Sequence, residues 1–259
     1  MIDIHCHILP GIDDGAKDID TAVEMLRIAA ADGIKEIITT PHYEDIRYHP
    51  TKAEIAAKLE LIRPEAEKLG ITLYPGMEVY LTPETPRDLK EGRLNTLAGS
   101  KYLLVEFPFQ EIPPYADKVI FEIMLQGIIP VIAHPERNGG IIAYPNCLVK
   151  LLDKGVLTQV NGGSLLGCFG QEVGSCAKKL VKHGMVHFLS SDAHSDKRRT
   201  PLLSEAVDKL KEIAGADTAA RLLKNSQKLL NNETITSSHQ PITRKAALIT
   251  SLLRRINVF

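Results

Sequence analysis

Residues 128–137 read IIPVIAHPER. A short run rich in isoleucine and valine has the composition of a strand buried on both faces, and this one stops at a histidine. The stretch before it, KVIFEIMLQG (residues 118–127), reads as a helix and a turn. Lys118, Glu122, Gly127 and Pro130 exclude a membrane span across the two. The same form recurs along the chain: IDIHC from Ile2, IKEIITT from Ile34, ITLYPGMEV from Ile71, YLLVEF from Tyr102, VLTQVNG from Val156 and VHFLSSD from Val186. Helical patterns fill the gaps. TAVEMLRIAAADG starts at Thr21 and closes on Gly33 as a C-terminal cap. Thr51 and Glu54 make a capping box for the next helix, which Pro64 is expected to kink or divide. Further helices are expected near 115–126, 145–154, 171–183, 201–214 and 217–230. Seven strands alternating with helices predict a parallel sheet with crossover helices, an α/β fold whose natural form at 259 residues is a closed or distorted (β/α)7 barrel.

The ends of the runs carry the chemistry. They deliver His5 and His7, then His42, Glu78, Glu106, His134, Asn161, and finally Asp192 and His194, with Asp14 just after the first run. In a parallel barrel these ends open on one face, so the side chains converge. His5 and His7 sit two apart and face one way, which leaves Cys6 facing the other as a packing residue. Imidazole and carboxylate together suit first-row divalent ions, and a carboxylate-rich set without thiolate leans toward Mn or Fe. His5, His7, Asp14, His42, Glu78, Glu106, His134, Asp192 and His194 are too many ligands for one ion, so two or three are expected, sharing a bridging carboxylate. Such ions, ~3.5–4 Å apart, activate a water and stabilise an in-line displacement. Arg137 and Arg199 lie close to these ligands in sequence and suit a phosphate, through paired hydrogen bonds; Arg198 is a weaker candidate.

The remaining composition narrows the partners. With 31 Lys+Arg against 32 Asp+Glu, no broad basic surface for nucleic acid is expected. Cys6, Cys147, Cys168 and Cys176 show no C-x-x-C spacing, and free thiols with no signal peptide fit the cytoplasm. Residues 1–230 read as one domain and 231–243 as a polar linker. In 244–259, Leu248, Ile249, Leu252, Leu253 and Ile256 share a helical face beside Arg244, Lys245, Arg254 and Arg255. That pattern suits weak contact with an anionic membrane surface, or packing on the barrel. His187, at the far end of the seventh run, is expected to be structural. Tyr43 and Tyr48 are expected as loop aromatics, Phe107 as core, and Phe109 and Tyr115 as a wall for an aromatic substrate.

DIHCHILPGIDDG, TPHY, PGMEV, LLVEFPF, PVIAHPERN and FLSSDAH together resemble the PHP (polymerase and histidinol phosphatase) superfamily. Within it they resemble the manganese-dependent bacterial protein-tyrosine phosphatases of capsule and exopolysaccharide operons. The resemblance runs to about residue 230. It implies a single-domain distorted seven-stranded barrel and up to three ions, Mn2+ with Fe, Zn, Co or Mg able to stand in. It places His5, His7, Glu78 and Asp192 on the first ion. Glu78, Glu106 and His134 then hold the second, and Asp14, His42 and His194 the third. The substrate it implies is a phosphotyrosine protein, a tyrosine kinase of polysaccharide export. A thiol mechanism needs Cys with Arg six residues on; those positions hold Ile12, Asp153, Gly174 and Lys182, so a metal-activated water is expected as the nucleophile. The alternatives are a small-molecule phosphomonoesterase such as histidinol-phosphate phosphatase, a phosphodiesterase, or a module that only binds phosphotyrosine.

Overall fold

The computed structural model describes residues 1–44 and 47–243; the expected tail at 244–259 lies outside them. The strands are β1 (Ile2–Cys6), β2 (Glu36–Thr39), β3 (His42–Tyr43), β4 (Thr72–Pro75), β5 (Glu78–Tyr80), β6 (Tyr102–Glu106), β7 (Ile129–Ala133), β8 (Leu157–Asn161) and β9 (Phe188–Ser190). These are nine among the described residues, where seven were expected, because two runs are each cut in two. The run from Ile34 breaks at Thr40-Pro41, where proline removes a ladder donor and restricts the residue before it. The run from Ile71 breaks after Pro75, at Gly76. A Cβ on Gly76 would lie 2.8 Å from Ile38 Cγ2 and 3.1 Å from the Thr39 carbonyl, so only glycine lets the crossing pass.

The two breaks are level with each other. Thr39 faces Pro75 and His42 faces Glu78 at an unchanged offset. The runs therefore stay partners while they pass from a three-stranded sheet, β1-β2-β4, into a six-stranded one, β3-β5-β6-β7-β8-β9. Every pairing of these strands is parallel. One consequence corrects the strand-end reading: His42 and Glu78 open short second strands and do not close long first ones. At the other margin Cys6 bridges Ala193 in parallel, and the His7 N–H donates to the Ala193 carbonyl at 2.9 Å. β1 thus lies beside the segment that follows β9.

The helices are α1 (Ile19–Ala31), α2 (Lys52–Lys68), α3 (Thr85–Lys90), α4 (Ala116–Met124), α5 (Gly139–Ala143), α6 (Val149–Leu152), α7 (Gly162–Leu166), α8 (Gln171–Lys182), α9 (Ser204–Ala214) and α10 (Ala216–Leu230). Gly33 follows α1 with φ +87°, as a C-terminal cap requires. The Thr51–Glu54 capping box is present at α2. Pro64 does not divide α2. The carbonyl it leaves without a donor belongs to Glu60, an exposed residue whose carbonyl water can reach.

Two apolar layers hold the sheets. Ile2, Ile4, Leu104, Val131, Leu157 and Phe188 form an inner cluster. Leu103, Val105, Ile132, Val160 and Leu189, the intervening strand residues, pack with Met25, Leu26, Ile55, Ile120 and Leu180 of the helices. This alternation is the period of two that a strand imposes. Residues 231–243, expected as a linker, are strapped to the body. Tyr102 Oη donates to the Glu233 carbonyl at 2.6 Å, the Gln240 N–H donates to the His183 carbonyl, and Ile235 is buried in the inner cluster. Among the described residues no helix is long and apolar enough to cross a membrane.

Candidate active site

β1 carries the first device of the site. Its register against β2 slips between Asp3 and Cys6, a bulge that inserts one residue. Bulges re-aim side chains. Here Ile2 and Ile4 face the inner cluster and Cys6 the outer one, while His5 and His7 both reach the site. Two more candidates owe their direction to backbone strain. His134 (φ +30°) follows β7 and Asp192 (φ +53°) follows β9, both in the left-handed region that non-glycine residues seldom adopt. Asp192 and His194 both follow β9 and do not lie within it. Each joins a different group of side chains.

The deepest group is His5, His7, Glu78 and Asp192, all buried. His5 Nε2 and His7 Nε2 face each other at 3.0 Å. Glu78 Oε2 lies 3.2 Å from each, and Asp192 Oδ1 lies 3.4 and 3.6 Å away. The far side of each ring is already engaged. His5 Nδ1 meets Gln159 Oε1 at 2.9 Å and His7 Nδ1 meets Asp13 Oδ2 at 2.7 Å. Those two acceptors place the ring protons on Nδ1, which turns both Nε2 lone pairs inward. Glu78 Oε2 and Asp192 Oδ1 are buried acceptors without a hydrogen-bond donor. Four such lone pairs converging away from water form a set that could hold a cation.

His7, Asp14, His42 and His194 form a second group, and His42, Glu78 and Glu106 a third. His42 serves both, with Nε2 3.5 Å from Asp14 and Nδ1 3.2 Å from Glu78. His134 Nε2 lies 2.9 Å from Glu78 Oε1 and 3.6 Å from Glu106 Oε1. All nine candidate ligands are thus brought together. The titration pattern follows from the crowding. Burial, then repulsion from Glu78 and Asp192, pushes the Glu106 carboxyl up to about 9. Burial and the neighbouring His7 ring push the His194 imidazole down to about 2. Burial alone would raise Glu78, but His5 and His42 outweigh it and hold this carboxyl well below its usual range.

The rim holds the arginines. Arg137 Nη1 (3.0 Å) and Arg199 Nη2 (2.6 Å) both meet Asp192 Oδ2, which also accepts from Asn161 Nδ2 at 2.6 Å. Arg198 is exposed and does not line the cleft. The cleft encloses about 310 Å3, and Phe109 forms one wall, stacked 6.0 Å from the His134 ring. Glu44, Arg47 and Tyr80 also line it; motif reading gave no sign of them. Tyr48 stacks on His42 at 6.0 Å, so it is more than a loop aromatic, and Tyr43 is buried in β3. Phe107 and Cys6 are core, as expected. Burial pushes the Cys6 thiol well up and the Cys176 thiol to about 12, far from a thiolate nucleophile. Asp13 and Gln159 were missed; Asp13 at least stood in the quoted DDG.

Residues 1–231 match the CpsB/CapC family of capsular polysaccharide synthesis. The chain belongs to the CpsB/CapC family. It is 40% identical over 248 residues to the tyrosine-protein phosphatase YwqE of Bacillus subtilis, covering 95% of this chain and 98% of that one. It is 37% identical to the putative tyrosine-protein phosphatase CapC of Staphylococcus aureus, over 91% and 93% of the two chains. Among solved structures, it superposes with a TM-score of 0.90 on one described as a metal-dependent tyrosine phosphatase, in work on YwqE from Bacillus subtilis and CpsB from Streptococcus pneumoniae. The identity there is 39%, over 94% of this chain and all of that one. A Listeria monocytogenes lactonase shares the fold alone, at 14% identity and a TM-score of 0.58. As a CpsB/CapC member the chain is an α/β protein whose candidate metal groups lie within the matched 231 residues.

Proposed function

We propose that this protein is a metal-dependent protein-tyrosine phosphatase, a phosphoric monoester hydrolase acting on phosphotyrosine in a protein. The observation that carries the reading is the pair of imidazole Nε2 atoms 3.0 Å apart, each ring pinned from behind and each facing Glu78 and Asp192. The donor set fits divalent ions, and its oxygen-rich, thiolate-free character favours Mn2+. His5, His7, Glu78 and Asp192 would hold one ion. Glu78, Glu106 and His134 would hold a second, and Asp14, His42 and His194 a third. When bound, such ions activate a water and draw charge from the phosphoryl oxygens. Arg137 and Arg199 bind the phosphate and place its phosphorus over the carboxylate floor. Phe109 shields one side of the cleft from water and offers an apolar wall to an aryl leaving group. Tyrosine phenolate, with a pKa near ~10, leaves without strong acid assistance. The two sheets read as one distorted barrel, supported by the Cys6–Ala193 bridge. A tyrosine kinase of polysaccharide export is the protein substrate we infer, a reading supported by the family's link to capsular polysaccharide synthesis. The cytoplasm is the compartment we infer from four free cysteines.

The test is purified protein with Mn2+ on a phosphotyrosine peptide, a phosphoserine peptide and histidinol phosphate. The expected result is preference for the first, with Glu78→Gln losing at least one ion and nearly all turnover. Failure to hydrolyse the phosphotyrosine peptide with Mn, Fe, Zn, Co or Mg, or a preference for histidinol phosphate, would overturn the reading.

A further inference from the structure

A guanidinium captures a phosphate through N–H groups in one plane, so its usefulness depends on where that plane is fixed. Arg137 and Arg199 come from separate segments, and Asp192 Oδ2 links them, accepting a hydrogen bond from Arg137 and pairing with the charge of Arg199. They share a second neighbour, Phe169. The Arg137 guanidinium carbon lies 4.7 Å from the Phe169 ring centroid and that of Arg199 5.9 Å from it. Arg137 is sandwiched, since the Phe109 ring lies 4.9 Å from the same carbon. Both distances to Arg137 are within the range where a cation is held by an aromatic face.

The backbone is built to deliver this ring. Phe169 lies in the connection between α7 and α8, bracketed by Gly167 (φ +87°) and Gly170 (φ +90°). Those angles suit glycine alone and turn the chain sharply on each side of the ring. Beneath it Gly163 has no side chain, and a Cβ there would approach Phe169 Cε2 to 3.1 Å. The ring is therefore packed close against Gly163 while both arginines lie over it.

We propose that Phe169 is a positioning residue for phosphate capture: its ring carries Arg137 and Arg199 and fixes the separation and tilt at which the pair meets a phosphoryl group. The inference rests on the reading that these arginines bind phosphate. Phe169 touches no reacting atom and acts through them.

The chain has no tryptophan, so Phe169→Trp introduces a single emission reporter while keeping an aromatic face for the arginines. Phe169→Leu keeps the bulk and removes the face. Both are compared with wild type, all Mn-loaded, for inorganic phosphate affinity by calorimetry, for ion content, and for KM and kcat on a phosphotyrosine peptide. Phe169→Leu should weaken phosphate binding about tenfold and raise KM alike, with ion content unchanged and kcat within about twofold. Phe169→Trp should stay near wild type, and its emission should shift with a midpoint at the calorimetric phosphate Kd. In an Arg137→Ala/Arg199→Ala background, Phe169→Leu should add nothing. The proposal is overturned by wild-type phosphate affinity in Phe169→Leu, by ion loss there, by an undiminished effect without the arginines, or by a silent tryptophan. A Phe169-dependent phosphate site with no turnover of phosphotyrosine would refute the phosphatase reading and leave this inference standing. Turnover with a silent Phe169→Leu would do the reverse.

Discussion

Asp13 is not in any ligand group, yet replacing it should cost metal. Its Oδ2 accepts from the His7 ring at 2.7 Å and from the His42 N–H at 3.0 Å, and its Oδ1 accepts from the Gly15 N–H at 2.9 Å. Three donors share one carboxylate, which holds a ring just after β1 and the backbone at the start of β3. Burial alone would raise this acid, but the His7 ring beside it outweighs burial and holds it at about 2. Asp13→Asn leaves one oxygen for three donors. Whichever way the amide turns, its NH2 faces either Gly15 or the His7 and His42 donors. The loop cannot retreat, because the Gly15 α-carbon is packed on the His7 carbonyl so closely that a Cβ would overlap it at 2.0 Å. The ring should therefore lose its fixed tautomer and tilt. Loss of such an outer carboxylate lowers metal affinity by about 10–100-fold, roughly 1.4–2.7 kcal/mol. Competition with a chromophoric chelator measures the Mn2+ affinity, and circular dichroism reports whether the fold survives. An Asp13→Asn protein that is folded and binds Mn2+ with wild-type affinity and stoichiometry would refute the argument. So would global unfolding, since the effect is argued to be local.

Two further outcomes follow from groups beyond the ligand set. Burial, with like charge from Arg221 and His239, pushes the His187 imidazole from 6.5 down to about 3, while its Nδ1 accepts the Thr158 N–H. The unfolded chain binds the extra proton between those values, so stability is full above about pH 6.5 and falls with acid. The loss is about 2 kcal/mol by pH 5. Urea midpoints at pH 8 and pH 5 should show a smaller drop for His187→Asn than for wild type, and equal drops would sink the assignment. Alkylation of the accessible thiols should leave turnover intact, whereas strong chelation should abolish it. Inactivation by alkylation with full ion content would revive a cysteine mechanism.

The fold was legible where a strand and its helix each follow one period. β6, β7 and β8 coincide with their apolar runs, and the end of α1 and the capping box of α2 lie where Gly33, Thr51 and Glu54 put them, while α1 starts at Ile19, capped by Asp18, ahead of the expected Thr21. The failures share a cause. The run ITLYPGMEV carries a turn signal of its own in Pro75-Gly76, but only its partner explains why the turn must fall there. Gly76 must be bare because Ile38 is there, and Ile38 is remote in sequence. The short helices α3, α5 and α7 were missed because each has too few residues to show a 3.6-residue period. The strap at 231–243 was read as a spacer from its polarity. Its attachment runs through the Glu233 and Ile242 backbone, the Thr234 and His239 side chains and one buried isoleucine, partners that composition does not reveal.

The site was legible for a different reason. Nine imidazoles and carboxylates that end apolar runs or lie beside them stand out without any contact being known, even though His42 and Glu78 prove to open strands. What surrounds them does not stand out. Gln159 and Asp13 are ordinary polar residues in sequence, and they acquire a role only because β8 and the first loop bring them against His5 and His7. Phe169 is more hidden still: an aromatic between glycines reads as a turn, and its partners lie on two remote segments. The residues that offer lone pairs follow from chemistry alone, whereas those that aim them follow from topology. Strain marks the join between the two. Two of the four described non-glycine residues at positive φ are His134 and Asp192. A fold that meets only its own packing would not hold both in that region at a cost of about 1–3 kcal/mol each. The strand ends hold them there because the side chains must converge on one centre.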